Sequence, residues 1–157
     1  MTTAELLTAL QAALVADTAL NAWCVTQFGA APTIWIGLDE QNPPVESDYP
    51  LVALVGVDQG RGGARGEIQW QVHIGVGVVN PALLSPEGAT TRTYSGMLQA
   101  ETLRELAENA LYRMRPAESA INIDSSGEAS SVSYHPLYVS YTTVLVSSLK
   151  SNRRGLP

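Results

Sequence analysis

The chain is 157 residues long, 45% hydrophobic and 15% charged, a composition that fits one globular domain and excludes a disordered or coiled-coil protein. Its net charge of −6 argues against tight nonspecific binding to nucleic-acid phosphates, because that affinity comes from Lys and Arg displacing counterions. Cys24 stands alone, which excludes an internal disulfide and a multi-cysteine zinc site and leaves it as an expected small buried hydrophobe.

Leu6, Leu7, Leu10, Ala13 and Leu14 recur at helical spacing. Thr2 and Glu5 stand in the relation that satisfies free N–H groups at a helix start, so an amphipathic helix is expected up to Ala16. Asp17 is placed to cap a second helix carrying Leu20, Trp23, Val25 and Phe28, with Gly29 at its left-handed end. Thr33 to Gly37 reads as a short strand, followed by an acidic, proline-containing surface loop from Leu38 to Pro50. Leu51 to Val57 is a β-branched-rich strand, and a loop from Asp58 to Gly66 then sets Arg61 and Arg65 among glycines.

From Glu67 to Val79, Ile68, Trp70, Val72, Ile74, Val76 and Val78 alternate with polar residues or glycine, which predicts a strand with one dry face and one polar or partner-covered face. Such a strand spans roughly 43 Å, so its hairpin is expected to reach past its own domain and present the Gly/Arg tip to a partner. Asn80 to Thr93 reads as a loop. Tyr94 to Arg115 is the main helix, with Met97, Leu98, Ala100, Leu103, Leu106, Ala107, Ala110, Leu111 and Met114 on its apolar stripe and Pro116 as its stop. Ile121 to Asp124 and Ser130 to Ser133 are expected to flank a turn at Ser125-Ser126-Gly127, and Leu137 to Leu149 is another alternating strand.

Strands grouped in hairpins between helices predict an α+β fold, with a mainly antiparallel sheet, a long hairpin and helices on one face. Residues 1–149 read as a single domain and 150–157 as a basic, flexible tail. The longest apolar run, Leu51 to Val57, falls far short of the roughly 20 residues needed to cross a bilayer. The N-terminus lacks the basic residues of a secretory signal, so synthesis in a reducing cytoplasm is expected.

No chemical motif survives inspection. Gly75-Val76-Gly77 begins a dinucleotide-type pattern, but Asn80 replaces the third glycine and the pair lies inside a strand; the glycines are expected to let a helix or neighbouring backbone approach. Ser147 and Lys150 match S-x-x-K without its helical context. His73 and His135 form no metal-binding pair, and His73 is expected in a solvated or hydrogen-bonded role. Trp23, Trp35 and Trp70 are expected in the core. No catalytic, cofactor-binding or metal site is therefore assigned. Charge is unevenly distributed: residues 1–60 carry seven acids and no Lys or Arg, giving −7, and the remainder carries +1. Such polarity suits complementary contacts between copies. Arg61, Arg65, Asp39, Glu40, Arg153 and Arg154 are the candidate contact residues.

The helix Glu5 to Ala16, a strand near Ile34, the strand Pro50-Leu51-Val52-Ala53-Leu54-Val55, the long strand Glu67 to Val79, the helix Tyr94 to Arg115 and the closing strand Tyr138 to Val146 follow one another in an order that resembles the tail terminator proteins of long-tailed bacteriophages. The resemblance covers nearly the whole chain. It implies a non-enzymatic virion subunit of the tail that forms a ring, commonly a hexamer, at the head-proximal end of the tail tube. There it would stop tube polymerisation and offer a surface to a neck or head-completion protein, while DNA passes through the lumen without specific binding. The Gly60–Gly66 tip and the Pro81–Thr93 loop equally suit another neck or tail-tube subunit. The alternative from a different class is a small-molecule-binding or hydrolytic domain using Gln69, Gln71 and His73.

Overall fold

The computed structural model of the chain describes residues 1–61, 67–84, 90–114 and 121–149. The first helix, α1 (Thr3–Ala16), opens with a closed capping box: the Glu5 amide donates to Thr2 Oγ1 at 3.2 Å and the Thr2 amide to Glu5 Oε2 at 2.6 Å. Asp17 both ends α1 and caps α2 (Thr18–Phe28), accepting from the Leu20 amide at 2.9 Å. Gly29 closes α2 with φ +75°, where a side chain would be strained. Leu6, Leu10 and Leu14 form the buried stripe of α1, and Leu20 and Cys24 that of α2. Val25, also within α2, is exposed.

The sheet runs β1 (Thr33–Ile36), β2 (Leu51–Arg61), β3 (Glu67–Val79), β7 (Leu137–Leu149) and β6 (Ile121–Tyr134), in that spatial order. Only β1 and β2 are parallel. Between Leu84 and the third helix, α3 (Ser95–Tyr112), a two-stranded ribbon joins β4 (Leu83–Leu84) to β5 (Thr93–Tyr94), in part of what the sequence read as loop. The fold is α+β: α3 lies across β3, β7 and β6, α1 across β1 and β2, and α2 against both helices. Leu98, placed on the α3 stripe by its spacing, is exposed.

Several boundaries differ from expectation. β2 continues through Asp58 to Arg61, because Val57, Asp58, Gln59 and Gly60 find partners in Val72, Gln71, Trp70 and Gln69. The hairpin does not stand free over its described length: β7 pairs with all of β3, from Val79↔Leu137 to Glu67↔Leu149. Its tip, with Arg65, lies outside the described residues, as do Pro116 and the segment 150–157. Ser125-Ser126-Gly127 is no hairpin turn. It is a bulge inside one strand, where Gly127 takes φ +75° and pairing with β7 resumes at Ala129. The chain reverses instead at His135-Pro136.

The core lies between the helices and one face of the sheet. Trp70, Val72, Ile74, Val76 and Val78 of β3 and Tyr138, Val144 and Val146 of β7 are each no more than 1% exposed. Gly96 lets α3 settle on Tyr138, since a Cβ there would lie 2.2 Å from the ring. Glu101 fastens the same helix to the sheet, accepting from Ser140 at 2.8 Å, from Ser131, and from Arg104 at 3.0 Å. Burial pushes this carboxyl up, but those donors outweigh it and hold it below the ordinary glutamate value.

Candidate interaction surface

Among the described residues, no helix packs on the opposite face of the sheet. Strand alternation places Leu51, Ala53, Asp58 and Gly60 there from β2; Gln69, Gln71, His73, Gly75 and Gly77 from β3; and Leu137, Val139, Tyr141, Thr143 and Leu145 from β7. This face divides along its length into an apolar half and a polar half.

At the Leu51 end, Gly75 and Gly77 create a trough that two tyrosine rings fill. A Cβ on Gly77 would stand 2.7 Å from the Tyr49 ring, and one on Gly75 would stand 3.2 Å from the Tyr141 ring. Here the glycines accommodate aromatic side chains, not the helix or backbone expected from the sequence. Around the rings, Leu38, Pro44, Leu51, Ala53, Leu137 and Val139 line an apolar groove of about 190 Å³. Leu38 and Tyr141 remain 48% and 42% exposed, so this apolar patch faces water in the single chain. Trp35 belongs on this side too. Expected in the core, it is half-buried and lines an adjoining depression with Gln11, Leu38, Asp39 and Asn42.

The loop 38–50 walls the groove and carries Asp39, Glu40, Glu46 and Asp48 with no Lys or Arg. Asp39 accepts from Asn42 Nδ2 at 2.6 Å and from the Gln41 amide at 2.9 Å, and these bonds hold its carboxyl below the ordinary value. Asp48 accepts from the Val45 amide at 2.8 Å, closing a single 3₁₀ turn over Glu46–Asp48.

Towards the hairpin tip the face becomes polar. His73 Nε2 lies 2.9 Å from Asp58 Oδ2, and Nδ1 lies 2.9 Å from Thr143 Oγ1. This chain ties β2, β3 and β7 together and borders an open cleft of about 330 Å³ with Glu128, Ser130 and Tyr141. Asp58 is 76% exposed, so water competes for its oxygens. A hydrolytic triad keeps its orienting carboxylate buried.

The candidate contact residues among those described, Asp39, Glu40 and Arg61, do not converge within one copy. Asp39 and Glu40 are exposed just past the end of β1, whose Ile36 pairs with Leu54, whereas Arg61 is exposed at the far end of β2, opposite Ile68. Arg65, Arg153 and Arg154 lie outside the described residues. Tyr49 and Tyr141 were missed by the sequence reading, and their one signal was glycine at 75 and 77 on the same face of a long strand. Cys24 is buried as expected, which pushes its thiol up to about 12. Among the described residues no three His, Cys, Asp or Glu side chains are grouped to hold a metal ion. Among the described residues no helix is long and apolar enough to cross a membrane. No protein-family model matches the chain, and no curated protein matches its sequence.

Proposed function

We propose that this chain is a structural subunit that assembles head-to-tail, and that its assembly is the ring of a phage tail terminator, as the resemblance in element order implies. The observation that carries the reading is the outer sheet face, where exposed Leu38 and Tyr141 with half-buried Tyr49 and Val139 form an apolar surface walled by a loop whose charged residues are all acidic. A contact between unlike surfaces of identical subunits closes into a ring when the rotation permits. Separation of the candidate acids from Arg61 along the sheet supplies the unlike surfaces. The ring would sit at the end of the tail tube, stop its growth and receive a neck protein.

The test is a tube-polymerisation assay with the tube protein of the same phage, read by electron microscopy. The chain should give tubes of limited length with a ring at one end. Tubes of unaltered length and bare ends would count against the terminator role.

A second reading, a small-molecule or hydrolytic site, draws on the Thr143–His73–Asp58 chain and the cleft beside it. Exposure of Asp58 and the open cleft make it the weaker one, since ligand sites usually enclose most of their ligand. A ligand that raises the thermal midpoint of the chain but not of His73→Ala would favour it.

A further inference from the structure

We infer that residues 150–157 of one copy dock into the Tyr49/Tyr141 groove of the next copy, an inference that rests on the head-to-tail reading above and names the contact that makes it. The groove offers an apolar floor formed by Leu38, Pro44, Tyr49, Leu51, Val139 and Tyr141, beside a loop with four acids and no cation. The segment offers the converse: Lys150, Arg153 and Arg154 with no acid, then Leu156 and Pro157. Its cations match the acidic wall and its apolar residues match the floor. A groove of about 190 Å³ suits one or two apolar side chains and falls below the roughly 300 Å³ at which drug-sized ligand pockets begin.

Register decides that the contact is made between copies. Leu51 pairs with Gly77 and Gly77 with Val139, whereas Glu67 pairs with Leu149, so the groove and the start of the segment lie at opposite ends of one sheet. Ten residues of β7 separate Val139 from Leu149, or roughly 34 Å. The five residues from Lys150 to Arg154 reach at most roughly 18 Å fully extended. The segment therefore cannot lay Arg153 and Arg154 on Glu46 and Asp48, which run into Leu51 at the far end of its own sheet, and the match is made on a neighbouring copy.

The test mixes two full-length variants, Leu38→Cys and a tagged Leu156→Cys, under oxidising conditions near pH 8. Any disulfide between the two variants is intermolecular, and Cys24, buried with its thiol pushed up to about 12, does not compete. A mixed dimer should form with Leu38→Cys and not with Glu105→Cys, which lies exposed on α3. Arg153→Glu with Arg154→Glu should weaken association about tenfold, and Asp39→Lys with Glu40→Lys on the partner copy should restore it. Equal crosslinking to Leu38→Cys and Glu105→Cys, or none to either, while the wild-type chain still forms a ring, overturns this contact and leaves the ring reading standing. A wild-type chain that stays monomeric with and without tube protein removes both.

Discussion

The two faces of the sheet are built from the same strands and have opposite fates. On β3, Trp70, Val72, Ile74, Val76 and Val78 point into the helices and are closed off from water within a single chain. Their neighbours Gln69, Gln71, His73, Gly75 and Gly77 point the other way; two tyrosines and a loop bury the glycines, and Gln69, Gln71 and His73 remain open or partly open to water. A period of two makes this division at every residue, but it does not say what covers the second face. The inner face accounts for the stability of the subunit, and the outer face is where a partner would complete it.

Substitutions that separate the faces should rank accordingly. Trp70→Ala on the inner face removes a fully buried indole that also donates to Thr3 Oγ1 at 3.1 Å, and should cost about 3–5 kcal/mol in urea unfolding followed by circular dichroism. Gly96→Ala drives a methyl group into the Tyr138 ring and should cost about 1–3 kcal/mol by the same measurement. Asp17→Asn keeps an N-cap but removes a charge 2.7 Å from Arg113 Nη2, and should cost about 1 kcal/mol at neutral pH.

The pH dependence of that third variant has a definite sign. Burial raises the Asp17 carboxyl, but the Leu20 amide and Arg113 outweigh it and leave it below its unfolded value. Its contribution is thus complete above about pH 4, the ordinary aspartate range, and is lost as pH falls through the lower folded value. The difference between wild type and Asp17→Asn should shrink towards zero in acid. Smallest of all, His73→Ala on the polar half of the outer face should change stability by no more than about 0.5 kcal/mol, since its carboxylate partner is solvated. A loss comparable to that of Gly96→Ala would show that the outer face contributes to the subunit's own stability.

Local signals in the sequence carried much of this architecture. The Thr2–Glu5 box, the Asp17 cap, the Gly29 terminus and both ends of β3 all rest on interactions within a few residues or on unbroken alternation, so they were legible without the fold. Gly127 was ambiguous because a left-handed glycine serves a turn and a bulge equally well, and only pairing of Ala129 with Thr142 distinguishes them. Leu98 lies at a stripe margin, where spacing does not reveal the width of the covering surface. The groove was illegible for a different reason. Tyr49 reaches Gly77 and Tyr141 reaches Gly75 through strand register, which places together residues far apart in the chain.

The central claim, that the apolar half of the outer face joins copies, is tested most directly by the light-scattering mass of the wild-type chain and Tyr141→Glu, each alone and with tube protein. The wild-type chain should be present as two or more copies of 16.7 kDa in at least one condition. Tyr141→Glu should stay monomeric, with an unchanged circular dichroism spectrum. A wild-type chain that remains monomeric throughout, or a Tyr141→Glu chain that assembles as well as the wild type, would contradict the account.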